Sequence, residues 1–321
     1  MPETILSLLK GANTVISGQV ISNRLGISRA AVWKKILALK NRGYVIEAVP
    51  SRGYCLKSAP DLAQDYLLMQ IKSDLWKDII VYDSVESTND LAMSLATRGV
   101  IAPGTVLVAD RQTRGKGRLN RKWESPAGTN IYISLVIRPG LEPKDTTMLT
   151  LLGAVAGAQA LQKSCAMPVS IKWPNDLVVS NKKLGGILTE VRADPDRVAL
   201  AVIGMGINVN MDSRGIPEII RDIATSVRIE TGIHHPRNEI IIQLLHEFEQ
   251  WYTILKKEGK KPLLDAWRKN SFTLGRKVSV VLRDVTWSGI AEDIDDNGML
   301  ILRLPSGERR TISSGDISFL S

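Results

Sequence analysis

The sequence predicts an α+β multidomain protein: a winged helix-turn-helix at the N-terminus, a mixed α/β domain in the middle, and a small C-terminal domain of short strands. Length is the first observation behind this reading. A chain of 321 residues suggests two or three domains and can bury a sizeable core. Charge is the second. Residues 1–60 hold nine Lys/Arg against Glu3 and Glu47, which is +7 of the formal +9. That asymmetry points to a nucleic-acid-binding module. The third is a change of hydrophobic period: helical near the start, mixed over 79–208, strand-like beyond 272. The expected divisions are 1–60, 61–270 and 271–321.

Residues 4–10 read as a first helix. Ser17 can cap a second, running to about Leu25, with Val20, Ile21 and Leu25 at helical spacing. Gly26-Ile27-Ser28 is a tight turn. Ser28 then caps a longer helix to about Arg42, with Val32, Ile36 and Leu39 inward and Gly43 ending it. Helix, short glycine turn, helix is the helix-turn-helix arrangement. The second helix of the pair carries Arg29, Lys34, Lys35 and Lys40 outward, where basic side chains would hold phosphates. Residues 44–49 and 53–56 alternate as two strands about a Pro50-Ser51-Arg52 tip, the shape of a wing. Ser17, Ser28, Arg29, Lys34, Lys35 and Arg52 are the candidate DNA-contacting residues. A helical protein-interaction module would have the same shape; sign, turn and wing together favour DNA. Ser58-Ala59-Pro60-Asp61 marks a linker, with a helix over about 61–72 after it.

In the central region, 79–82 is strand-like, and Ser87-Thr88-Asn89 opens a helix over 90–97 with Ser87 or Thr88 as cap. Strands follow at 105–110 and 130–137, then an apolar helix over 147–162 containing Gly153, Ala156 and Gly157. Residues 171–179 and 183–190 read as a hairpin, its first strand bent at Pro174 and its turn at Ser180-Asn181-Lys182. Lys183 stands just before Gly185 and Gly186, which weaken a strand unless something approaches its backbone closely. A further strand covers 198–209. Near the end, 278–282, 286–293, 299–304 and 309–312 alternate as short strands.

The densest chemistry lies at 111–123, where six Arg/Lys and two glycines share thirteen positions and Trp123 closes the run. Gly115 and Gly117 leave the backbone free to take φ > 0 and press against a ligand. Exposed N–H groups in such a loop form an anion-binding concavity. Arg114, Lys116, Arg118, Arg121 and Lys122 add positive charge, and Trp123 offers a flat face to an aromatic base. A solvated basic loop is the bland alternative. The stretch is not a Walker A loop, because no Ser/Thr follows Lys116, nor a Rossmann fingerprint, because Asn120 stands at the third glycine. Gly204-Met205-Gly206 fails the same test at Val209.

Composition narrows the rest. Apolar content of 44% and charged content of 23% are those of an ordinary soluble protein. The apolar stretch 198–209 is too short to cross a bilayer, and the N-terminus has no signal-peptide pattern. The two cysteines, Cys55 and Cys165, form no CxxC and no Cys/His cluster, which argues for a cytoplasmic location and against a zinc site; no residue is assigned to a metal from the pattern alone. His234, His235 and His246 lie outside every motif and are expected at the surface.

Five stretches now stand in order. They are Ser87-Thr88-Asn89; Gln112 with Gly115-Lys116-Gly117-Arg118 and Arg121-Lys122-Trp123; Lys172-Trp173-Pro174-Asn175-Asp176; Lys183-Leu184-Gly185-Gly186-Ile187-Leu188; and Gly204-Met205-Gly206-Ile207-Asn208. Together they resemble the biotin–protein ligases. With the helix-turn-helix, the whole chain resembles the bifunctional biotin ligase and biotin operon repressor family. The final strands are similar to the small SH3-like β-barrel that ends these ligases.

The resemblance implies two steps. Biotin and ATP give biotinyl-5′-AMP, and a lysine of a carrier protein, the biotin carboxyl carrier of acetyl-CoA carboxylase, then takes the biotin. Two anions must meet in the first step, so fixed positive charge and orientation are needed, with Mg²⁺ on the phosphates. Lys183 and Arg118 are the implied catalytic cations, and Asp176 an implied metal ligand or proton acceptor. Ser87, Thr88, Asn89, Gln112, Lys116, Gly117, Arg118 and Lys183 are implied at biotin. Gly185, Gly186, Gly204 and Gly206 would line an apolar slot for it. Gly115, Arg121, Trp123, Lys172, Asn175 and Asn208 are implied at the nucleotide. The family often has Arg where this chain has Lys116, which keeps charge but loses the planar fork. Closure of the basic loop would protect the adenylate from water. The family also implies operator DNA as a partner, a homodimer when loaded with adenylate, and no membrane. A biotin-sensing regulator without ligase activity and a lipoate ligase are the competing readings.

Overall fold

The computed structural model describes residues 3–11, 14–282 and 285–320. The chain divides into two compact units, the first ending at Lys72 and the second starting at Ser73.

In the first unit, helix α1 (Ile5–Gly11) precedes α2 (Gly18–Leu25) and α3 (Arg29–Asn41). Ser17 and Ser28 cap α2 and α3 as the sequence predicts, each side chain accepting an N–H in the first turn. Gly26 closes α2 at φ 63°, a left-handed position suited to glycine. Ile21, Val32 and Ile36 are buried, while Leu39 is only half-buried. Strands β1 (Val45–Val49) and β2 (Gly53–Ser58) pair antiparallel as the wing. Gly53 is required there: a Cβ would lie 2.0 Å from the Ile16 carbonyl oxygen. Helix α4 (Gln64–Gln70) is shorter than expected and belongs to this unit, beyond the expected division at residue 60. The Tyr44 hydroxyl donates to Asp65 across 2.5 Å, and Leu67 is buried.

In the second unit the elements run β3 (Asp78–Val85), α5 (Thr88–Thr97), β4 (Thr105–Gln112), β5 (Ile131–Ile137) and α6 (Thr147–Cys165). Then follow β6 (Ser170–Lys172), β7 (Asp176–Val179), β8 (Lys182–Ala193), β9 (Val198–Ile207), α7 (Val227–Thr231), α8 (Arg237–Glu258) and α9 (Lys261–Lys269). Among the described residues the large sheet has the order β3-β4-β5-β9-β8-β7-β6, antiparallel except for the β3–β4 pair. The stretch 171–179, expected as one bent strand, is two strands, β6 and β7, paired antiparallel about a turn with a cis Trp173–Pro174 bond. The next turn uses Ser180 and Asn181, both at positive φ.

Strand alternation sorts the two faces of this sheet. Ile187, Ile203 and Met205 point to α6, whose Gly153 and Gly157 let the helix come close: a Cβ at Gly157 would lie 2.9 Å from Met205 Cε. On the other face Leu107, Val136, Leu200 and Val202 pack with Ala92 of α5. The long helix α8 buries Arg237, only 3% exposed, whose guanidinium donates to Asp110 at 2.7 Å and to the Asn130 carbonyl at 2.8 Å. His235 is buried, not a surface residue; its backbone exchanges two hydrogen bonds with the Asn210 amide.

The C-terminal strands are β10 (Lys277–Leu282), β11 (Val285–Ile294), β12 (Leu300–Arg303), β13 (Arg309–Ile312) and β14 (Asp316–Phe319), in the order β13-β12-β11-β10-β14. The last of them has no counterpart in the sequence reading. This sheet is tied to the central one through Trp173, whose indole donates to the Gly298 carbonyl and whose N–H donates to Thr273. Among the described residues no helix is long and apolar enough to cross a membrane.

Arg237→Ala leaves Asp110 without its buried cation. It should lower unfolding free energy by about 3 kcal/mol in a urea titration, the low end for a broken buried pair because Asp110 keeps some water.

Candidate active site

A cavity of about 300 Å³ opens on the α5 face of the large sheet. Its floor is a consequence of alternation. Gly204 and Gly206 sit two apart on β9, so both face the cavity, and Gly186 on β8 faces it too. Gly185 is one residue away and points to the opposite face, where a Cβ would meet Leu177; it does not line the cavity. The missing side chains are filled by two others. A Cβ on Gly204 would lie 2.2 Å from Asn89 Oδ1, and one on Gly206 would lie 2.6 Å from the Trp123 ring.

The start of α5 supplies a polar wall. Ser87 caps the helix, and Thr88 and Asn89 are buried. Gln112 Oε1 accepts from Thr88 N–H at 2.9 Å and from its hydroxyl at 3.1 Å, while Gln112 Nε2 donates to Ser125 at 3.0 Å. Asn89 Nδ2 donates to Glu190 and to the Leu188 carbonyl, and its Oδ1 accepts from Ser134 at 2.6 Å. Both amides therefore have one fixed orientation.

The basic stretch folds as a tight hairpin. Gly117 N–H donates to Arg121, and Trp123 N–H donates to Gly115. Neither glycine takes positive φ; Leu119 and Asn120 do, at 55° and 57°. Gly115 is needed for close approach alone, since a Cβ would lie 2.6 Å from both Ser125 Oγ and the Trp123 carbonyl. Lys116 pairs with Asp90. Arg118 donates to Asn175 at 3.2 Å and to the Gly315 carbonyl at 3.5 Å, and Arg121 makes a two-pronged ion pair with Asp316. Burial lowers the Arg118 guanidinium from its ordinary value, opposed by Asp316 and Asp176.

Lys183 meets Asp176 at 2.7 Å and stands 5.4 Å from the centre of the Trp123 ring. Its backbone is clamped on both sides, with its N–H donating to Ile223 and its carbonyl accepting from Thr225. Trp123 Nε1 is buried and, among the described residues, has no hydrogen-bond partner. Asn175 also donates to the Ile187 carbonyl, and Asn208 uses both ends of its amide, with Thr225 and Asn130. Lys172 lies outside the cavity lining, 5.3 Å from the Phe319 ring, its ammonium lowered by burial. The sequence reading did not foresee Tyr132, Asp316 or the apolar wall of Ile216, Ile220, Ile223 and Ala224 that also line the cavity. That wall comes from turns and one short 3-10 helix (Glu218–Ile220), where no hydrophobic period marks it.

A pocket with one polar and one apolar wall over glycine-bearing strands, rimmed by two arginines and a lysine–carboxylate pair, has the make-up of a site for a small amphiphile next to an anionic group. The family models agree in order along the chain: an HTH domain over 3–55, the biotin/lipoate A/B protein ligase family over 81–208 and the biotin protein ligase C-terminal domain over 273–320. The chain is 38% identical to the bifunctional ligase/repressor BirA of Bacillus subtilis, over 96% of this chain and 95% of that one. It is 33% identical to BirA of Escherichia coli, over 95% and 93%. A solved biotin protein ligase from Aquifex aeolicus, in complex with biotin and ATP, superposes with a TM-score of 0.66 at 30% identity, covering 76% of this chain and 98% of that one. The chain belongs to the family of bifunctional biotin ligase/repressors.

Gly204→Ala puts a methyl where the Asn89 amide lies. The variant should keep its fold by circular dichroism and lose at least tenfold in biotin affinity by calorimetry, because the polar wall must shift.

Proposed function

We propose that this protein joins biotin to ATP as biotinyl-5′-AMP, transfers the biotin to a lysine of the biotin carboxyl carrier of acetyl-CoA carboxylase, and represses transcription through its winged helix, acting in the cytoplasm. The observation that carries the ligase reading is Lys183, held by Asp176 beside the glycine floor and near the Arg118 side of the cavity. In the first step a biotin carboxylate oxygen bonds to the α-phosphorus and pyrophosphate leaves. Both reactants are anions, and a preoriented ammonium between them lowers their repulsion where charge develops. In the second step the carrier lysine attacks the acyl carbon, AMP leaves, and the amine proton goes to a base; Asp176 lines the cavity and suits that role.

Ser87, Thr88, Asn89 and Gln112 would recognise the ureido ring and tail. Lys116, Gly117, Gly186, Gly204 and Gly206 complete the biotin side, and Arg121, Asn175 and Asn208 shape the nucleotide side; Gly115 lies outside the cavity lining and serves the close packing of the hairpin. Trp123, which the resemblance implies at the nucleotide, lies over the glycine floor, which supports contact with the ring system held there. Among the described residues no cluster of three or more His, Cys, Asp or Glu could hold a metal. The carboxylates of Asp176 and Asp316 suit Mg²⁺ carried in on nucleotide phosphates, where it would neutralise charge. The regulator-only reading leaves Lys183 and Asp176 without work, and the basic winged helix favours the biotin family over a lipoate ligase.

Lys183→Ala should lower biotin-dependent ATP–pyrophosphate exchange by roughly 10²–10³ with an unchanged melting curve; near-normal exchange would exclude the role. A chain starting at Ser73 should keep exchange activity and lose sequence-specific DNA binding in a gel shift. Sedimentation equilibrium of the full chain should move from monomer towards dimer when biotinyl-5′-AMP is added, since two half-sites need a two-fold axis.

A further inference from the structure

Helix α3 carries a feature that phosphate binding does not use. Its residues include no Asp or Glu. Val32 and Ile36 are buried, so the solvent-facing remainder of the helix, flanks included, is expected to be polar. Instead Trp33 is 56% and Leu37 43% exposed, and Ala30 is exposed as well. The spacing i, i+3, i+7 places these three in one strip. At 3.6 residues per turn, Arg29 and Lys40 fall on one edge of that strip and Lys34 on the other. Trp33 also borders a groove between α3 and the wing, lined by Gln19, Pro50 and Tyr54 among others. Among the described residues its charged lining is Arg29 and Arg52.

An apolar strip between two cationic edges matches a surface with an apolar floor and anionic rims. The major groove of duplex DNA is such a surface: phosphates run along both sides, and each thymine sets a 5-methyl group on the floor. The excess of +7 over residues 1–60 selects this occupant over an uncharged protein groove. We infer that Ala30, Trp33 and Leu37 read thymine 5-methyl groups, with Trp33 the specificity-determining contact and Arg29, Lys34 and Lys40 holding the flanking phosphates. This rests on the DNA-binding reading above.

The test uses the full chain with biotin and ATP. Tight-binding duplexes are selected from a random library, and each thymine is then replaced by uracil, which removes the methyl and keeps the base pairing. The wild-type protein should lose roughly fourfold in affinity for each contacted methyl, the worth of one buried carbon group. W33A should bind the thymine duplex more weakly and no longer distinguish uracil, while W33F keeps part of the discrimination. All three should bind mixed-sequence DNA with the same salt dependence, because the phosphate contacts are untouched. A wild-type protein that prefers its selected duplex yet ignores every uracil substitution overturns the inference. So does W33A with full discrimination, including the case in which it alters self-association instead, which would give Trp33 a protein partner. If no duplex outcompetes mixed-sequence DNA, the DNA-binding reading itself falls, an outcome separate from the other two.

Discussion

The site depends on a steric constraint: three positions on the cavity face of β8 and β9 carry no side chain. Gly186, Gly204 and Gly206 let the Asn89 amide and the Trp123 ring lie directly on the strands. Period-two alternation makes this possible without loosening the core, because the intervening Ile187, Ile203 and Met205 point to α6. The same sheet is thus a packed wall on one side and, on the other, a glycine surface covered by Asn89 and Trp123. Gly153 and Gly157 in α6 draw that helix close on the packed side.

Charge and hydrogen bonding are arranged around this floor so that little is left to chance. The Asn89 and Gln112 amides are locked at both ends, by Ser134, Glu190 and the Leu188 carbonyl for one and by Thr88 and Ser125 for the other. Locked amides present fixed donor and acceptor directions, which is how a pocket prefers one polar ring over another. The basic hairpin is anchored from the C-terminal sheet through Gly315 and Asp316. That link joins a domain with no motif of its own to the chemistry of the central one.

Much of this was legible in the sequence, for identifiable reasons. The caps at Ser17, Ser28 and Ser87 announce themselves because a hydroxyl before an amphipathic run has one common use. The glycine-bearing strands and the Lys183 position were legible because strand glycines need a reason. What stayed hidden was long-range. No local pattern says that Gly185 faces away while Gly186 faces in; that needs the register of β8 on β7 and β9. The positive φ expected of Gly115 and Gly117 falls on Leu119 and Asn120, since the close approach at Gly115 is set by Ser125, ten residues on. Asp316 could not be foreseen, because its partner Arg121 lies nearly two hundred residues earlier in the chain.

The Arg121–Asp316 pair would bear on which anions the site accepts in a way that cavity shape does not. A carboxylate from the chain's own last strand pairs with the guanidinium. A tethered group of this kind competes as though present at about millimolar concentration or more. If Arg121 serves a phosphate as proposed, a lone inorganic phosphate gains little by displacing Asp316. An adenylate whose biotin half fills the glycine floor and whose phosphate reaches Lys183 gains much more. Because the pair is exposed, the bias it sets is small, and it falls on anions that bring no second contact.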